Sequence, residues 1–380
     1  MNVKKMLAIW WPFLLLLIIE TLLMFTTIDL PPYFFSLTVL SFFVFAGLQI
    51  ILHEAGHFLC GWATGYRFLS YRIFSFVVLK EKGKLVFKRQ AVNEAVAQCL
   101  MVPDKEWNPT RYPYKLYLSG GVLFNAICSL SALFLLTSDF IPAIFPLLFS
   151  GIGLFLTLSN GLPKRMNDGA ILKKCRKNPA YRQMMYHQLR TVYYLTESRT
   201  LTSLPPESFE LFDEVELSDP FSLYVMHLEY YKYLKQFQFD KAAVLIEKQW
   251  NIKDKLVPLD RMMVQAEKLF CLSLHRQSAE EATKMYHQTD VQLMQKYEQI
   301  TFKRIFATYF LYVENDPVKA LIWTKAGWNL GNSNTFDNGL QVEINLLEWL
   351  RQHAQLKLEQ QPANEVRQEG AVNLRDEVVR

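Results

Sequence analysis

Residues 51–57 read "ILHEAGH" and lie near the end of an apolar run that begins at Phe34. About 20 apolar residues in a helix cross a bilayer core. Ionisable side chains inside such a segment are costly, and they mark function by default. His53, Glu54 and His57 put three of them within little more than one helical turn. What surrounds this stretch decides whether it belongs to a membrane span.

The 380-residue chain divides into two unlike halves. Up to about residue 162 it consists mainly of long apolar runs; beyond that it is charged and amphipathic. Four segments have the length and composition of spans: Met6–Ile28, Phe34–Ala63, Leu116–Thr137 and Ile141–Leu162. The first is too long for a signal peptide, and no small-residue cleavage site precedes Pro31 and Pro32, so it reads as an anchor. Lysine and arginine collect before the first span, between the second and third, and after the fourth. By the positive-inside rule, both termini and the central loop are expected in the cytoplasm of an integral cell-membrane protein. The lipid bilayer is one expected partner; nucleic acid is not. The five cysteines share no close spacing, which favours buried thiols in a reducing compartment over disulfides or a zinc knuckle.

Within the central loop, "YRFLSYRIFSFVVLKEKGKLVFKRQAV" (66–92) is rich in aromatic and β-branched residues, and "KEKGK" supplies a turn. It reads as a small β-hairpin at the membrane surface; the alternative is an irregular basic loop drawn to anionic headgroups. From about residue 178 the pattern is helical. Three helical pairs carry a small residue early in the second helix, Ala243, Ala282 and Ala320, at intervals of 39 and 38. That spacing describes either a tetratricopeptide-like array, which would hold a protein or peptide partner, or a plain helical bundle. The last twenty or so residues lack an apolar stripe and are expected to be disordered.

The stretch 53–57 fits HExxH. Histidines four apart project from one face of a helix, and the glutamate between them can hold and deprotonate a metal-bound water. A catalytic zinc needs a third protein ligand and an open position. The other five histidines all lie in the soluble half, and Cys60 is roughly 10 Å along the helix from His53. Depth then selects among the carboxylates. His53 lies about 29 Å into its span, near the cytoplasmic edge. Asp29 and Asp139 belong to the opposite face. Asp168 follows the fourth span on the correct side, where Gly161 and Pro163 would break the helix and let the chain fold back. Asp168 is therefore the expected third ligand, with Glu20 as a second candidate.

These motifs resemble those of the site-2 protease family of intramembrane zinc metalloproteases. "HEAGH" is followed by Gly121 and Asn125 in the next span, and then by Asn160, Pro163, Asp168 and Gly169 in "NGLPKRMNDG". The resemblance covers about residues 34–172, with three motifs in family order. Arg165 stands where a second proline is common, Asn167 where an apolar residue is usual, and no PDZ-like insertion is visible. The resemblance implies that His53, His57 and Asp168 hold Zn2+ with Glu54 as general base. It also implies that Asn125 and Asn160 donate to the oxyanion or the substrate backbone; for Asn125 a helix-packing hydrogen bond is the alternative. A strand of the central loop could pair with the extended substrate.

The expected fold is an all-α polytopic membrane protein of about four transmembrane helices, with a small β-hairpin in the cytoplasmic loop, followed by a soluble α-helical, tetratricopeptide-like domain. Residues 1–172 form the membrane-embedded metalloprotease domain, 173–357 the cytoplasmic helical-repeat domain, and 358–380 the disordered tail. The expected activity is cleavage of peptide bonds in or near transmembrane segments or signal-peptide remnants. A non-proteolytic membrane adaptor or regulator acting through the helical tail is the alternative.

Overall fold

The computed structural model describes residues 33–89, 96–138, 140–164, 166–198, 200–288, 294, 297–333 and 338–360. Three helices are long and apolar enough to cross a membrane, Leu37–Ala63, Tyr114–Thr137 and Ile144–Gly161, and they mark the chain as a membrane protein. They fall where the second, third and fourth spans are expected. The first expected span, Met6–Ile28 with its Glu20, lies outside the described residues.

Helix α1 covers Tyr33–Ala63, α2 covers Tyr114–Ala132 with a 3₁₀ extension to Thr137, and α3 covers Ile144–Gly161. Each packs on the other two. Their polarity is the reverse of a water-soluble bundle. Leu40, Phe43 and Leu48 of α1, Ile127 and Leu130 of α2, and Phe155 and Leu158 of α3 face outward, while Gln49, Asn125, Ser129 and Ser150 are buried. In hydrocarbon a polar group has no solvent partner, so it turns toward a neighbouring helix. Gln49 Nε2 donates to Ser129 Oγ at 3.2 Å and to the Phe149 carbonyl at 3.1 Å, and Ser150 Oγ donates to the Ser129 carbonyl at 2.7 Å. All three helices are tied at this level. Nearer the C-terminal end of α1, Gly56 and Gly120 let α1 and α2 touch backbone to backbone. A Cβ on Gly56 would stand 2.3 Å from the Gly120 carbonyl oxygen.

Between α1 and α2 the expected hairpin is present as β2 (Phe76–Glu81) and β3 (Lys84–Arg89), turning through Lys82 and Gly83. It is part of something larger. With β1 (Arg67–Ile73) and β4 (Ala97–Val102) it forms a four-stranded antiparallel sheet in the order β3-β2-β1-β4. The expected small hairpin is corrected on this point for two reasons. Strand β1 turns into β2 at Phe74 and Ser75, with φ of 50° at Phe74, so the turn lacks the Gly, Asn or Asp that usually announces one. Strand β4 pairs with β1 from outside the local sequence, where no periodicity shows it.

Two compact units are distinguished. One holds the three spans, the sheet and α4 (Asp168–Lys177); the other is formed by Lys105–Arg111 and the residues from Asn178 onward. The expected boundary at 172/173 falls inside α4. The second unit is helical. After α5 (Pro179–Ser198) come three helical pairs: α6 (Pro220–Lys235) with α7 (Phe239–Trp250), α8 (Pro258–Leu274) with α9 (Ala279–Gln288), and α10 (Ile300–Tyr312) with α11 (Pro317–Ser333). Helix α12 (Asn338–Gln360) follows and runs slightly into the segment expected to be disordered; residues 361–380 lie outside the described ones. Ala282 and Ala320 are fully buried. In the first pair the fully buried residue is Ala242, and the expected Ala243 only borders the core.

Arg304 of α10 is completely buried at the centre of this unit. Its Nε donates to Glu343 Oε2 and its Nη2 to Glu267 Oε1, both at 2.6 Å. Tyr230 and Tyr231 donate to the same two carboxylates at 2.6 and 2.9 Å. The network joins α6, α8, α10 and α12. Burial opposes the charge on Arg304, but the two carboxylates outweigh it and hold the guanidinium protonated, its pKa well above the usual value. Replacing Arg304 by Met leaves those carboxylates buried without a cation. The expected loss is about 3–5 kcal/mol, read as a lower urea midpoint for the helical unit in the full-length, detergent-solubilised chain. An unchanged midpoint would show that the network does not hold the unit together.

Candidate metal centre

His53, Glu54 and His57 are buried in the C-terminal part of α1. Asp168 comes from far along the chain. Helix α3 ends at Gly161, the chain folds back, and α4 begins at Asp168. Asn167 clasps this fold. Its Nδ2 donates to the carbonyls of Ser159 and Leu162, each at 2.7 Å, and its Oδ1 accepts from the Lys164 N–H at 3.1 Å and the Ala170 N–H at 3.0 Å. The bond from Ala170 is an N-cap on α4. One side chain thus closes the turn and fixes the direction of the next residue, Asp168.

Three ligating atoms converge. His53 Nε2 lies 3.0 Å from Asp168 Oδ2, His57 Nε2 lies 3.3 Å from the same oxygen, and the two Nε2 atoms are 3.3 Å apart. A four-coordinate ion with bonds of about 2.0–2.1 Å has ligand–ligand edges of about 3.3 Å. The triangle fits one such ion and leaves a fourth position. Two imidazole nitrogens and a carboxylate oxygen suit a borderline first-row divalent metal. Among the described residues this is the one group of His, Cys, Asp or Glu gathered closely enough to hold an ion.

The surroundings aim these atoms. His57 Nδ1 is 2.8 Å from the Tyr117 carbonyl. A carbonyl only accepts, so the proton sits on Nδ1 and the Nε2 lone pair faces the triangle. His53 lies against Gly121, where a Cβ would stand 2.5 Å from its Cε1. Glu54 stands outside the triangle. Tyr117 Oη donates to the Cys99 carbonyl at 3.0 Å, which ties β4 to α2 beside the site.

No family model, curated protein or solved structure matches this chain. The arrangement of the side chains themselves is what remains to be read.

Of the residues singled out in the sequence, His53, His57 and Asp168 come together, with Glu54 beside them. Asn125 is fully buried on α2, one turn from Gly121, and neither of its amide atoms has a partner. Asn160 is not brought in: its Nδ2 donates to the Leu156 carbonyl of its own helix at 3.1 Å. Two residues not expected in the site help to hold it: Asn167, which stands in the sequence only as a departure from the family motif, and Tyr117. Asn167 carried a legible signal, an N-cap residue type immediately before the Asp-Gly that opens a helix. Tyr117 orients His57 through a main-chain carbonyl, which no residue type advertises.

A methyl group at Gly121 must push the His53 ring. Gly121→Ala is expected to weaken divalent-metal binding by roughly tenfold or more, measured by competition with a chromophoric chelator. Wild-type affinity in that variant would mean that Gly121 does not set the ring's position.

Proposed function

We propose that the chain is an intramembrane zinc endopeptidase, similar to the site-2 proteases, that cuts peptide bonds in or near transmembrane segments or signal-peptide remnants. The observation that carries this reading is the meeting of His53 Nε2, His57 Nε2 and Asp168 Oδ2 at 3.0–3.3 Å inside a membrane bundle, with Glu54 next to them. Such a cluster is expensive among apolar spans, and a metal site accounts for its retention.

Bound there, Zn2+ would polarise the scissile carbonyl and make an attacking water more acidic. The other roles belong to the chain. Glu54 takes a proton from the attacking water on a carboxylate oxygen and returns it to the leaving amine. Asn125 has an unpartnered amide in the same seam and serves as donor to the substrate carbonyl or backbone. Asn160 can share that role only by releasing its bond to Leu156. A substrate that pairs with the sheet adds to one of its edge strands, β3 or β4. The alternation of basic loops supports a cell-membrane protein with cytoplasmic termini and cleavage near the cytoplasmic face. The helical pairs of the second unit serve, on this reading, as a tetratricopeptide-like holder for a protein or peptide partner.

The Glu54→Gln variant is expected to retain zinc and to cleave at least about a hundredfold more slowly. Quantitative proteomics of membrane fractions from cells carrying wild type or this variant reads the outcome as uncut spans that accumulate. Unimpaired turnover of a co-expressed substrate by Glu54→Gln would overturn the assignment of the base.

A further inference from the structure

His57 has an outer partner for its second ring nitrogen, and His53 does not. When its Nε2 lone pair holds the metal between Asp168 and His57, a neutral His53 carries its proton on Nδ1, and that atom is buried with no hydrogen-bond partner. A buried donor left unpaired is costly, and metal-bound histidines almost always give this proton to an acceptor.

The seam between α1 and α2 contains two candidate acceptors. Gln49 precedes His53 by four residues and therefore shares its helix face. On α2, Gly121, Asn125 and Ser129 recur at intervals of four; Gly121 touches His53 and Ser129 touches Gln49. Asn125 stands between these contacts. Gln49 Oε1 and both amide atoms of Asn125 are buried and without partners.

The two amides differ in how they are held. Gln49 Nε2 is fastened by two acceptors on two helices, Ser129 Oγ and the Phe149 carbonyl. Flipping the amide would set its oxygen against that carbonyl, so the free atom is the acceptor Oε1 and its position is set. Asn125 is anchored by nothing and can turn toward a substrate.

We propose that Gln49 is a positioning residue of the metal centre: its anchored Oε1 takes the His53 Nδ1 proton, directly or through one buried water, and so fixes the ring and tautomer that present Nε2. Asn125 is thereby left for substrate. The inference rests on the zinc reading above. It adds a residue outside the HExxH stretch, one turn deeper in the bundle, on which metal affinity depends.

The test uses the full-length, detergent-purified protein and zinc alone, titrated against a competing chelator. Gln49→Met keeps the shape of the side chain and removes the amide; its zinc affinity is expected to fall roughly 10–100-fold. A purely structural glutamine would lower the unfolding midpoint of the metal-free Gln49→Met protein and leave zinc affinity unchanged, which overturns the proposal. Should Gln49→Met fail to fold, 15N-histidine NMR of the zinc-loaded wild type decides: a hydrogen-bonded His53 Nδ1 proton is expected, and an unbonded one overturns the proposal. A wild-type protein that takes up no zinc defeats the zinc reading and this inference together. Zinc bound equally by wild type and Gln49→Met defeats this inference alone.

Discussion

A polar atom placed in hydrocarbon must find its partner within the protein, and the membrane unit is arranged around that requirement. Leucine and phenylalanine, which would form the core of a soluble bundle, cover the outside, and the polar side chains make the seam between helices. Gln49, His53 and His57 follow at intervals of four along one face of α1. Opposite them, α2 offers Ser129, then Asn125, then the glycine against which His53 lies, then the Tyr117 carbonyl for His57. The backbone contact of Gly56 with Gly120 brings the two helices close enough for these partners to meet.

The helical unit meets a similar demand with a different device. Arg304 is as deeply buried as any residue of the membrane seam, yet it keeps its charge because Glu267 and Glu343 flank it and Tyr230 and Tyr231 satisfy the remaining carboxylate oxygens. Arg304 Nη1 has no hydrogen-bond partner, so the charge is held by the two carboxylates through Nε and Nη2. At the candidate metal centre the arrangement differs, since the carboxylate and both imidazoles aim at one point and not at separate donors.

Much of this was legible before any coordinates. Runs of about 20 apolar residues locate three spans to within a few residues, and HExxH with a broken fourth span names His53, Glu54, His57 and Asp168. What escaped shares a cause: it depends on atoms that residue types do not report. The β1–β2 turn rests on a positive φ at Phe74, and β4 pairs across a long connection. Tyr117 acts through its carbonyl on His57. Asn167 looked like a departure from a motif, yet four hydrogen bonds make it the clasp that delivers Asp168. The recurring spacing marks Ala243 while the buried alanine is its neighbour Ala242, since one residue along a helix turns a side chain by about 100°.

The central claim is that residues 115 positions apart, together with a histidine one turn away, enclose a single zinc ion. Zinc-edge X-ray absorption of the purified full-length protein tests it most directly. The expected spectrum shows a four-coordinate shell of nitrogen and oxygen at about 2.0–2.1 Å, with the outer-shell pattern of two imidazoles. A sulfur shell near about 2.3 Å, a shell without imidazole, or protein that carries no zinc after loading would contradict it.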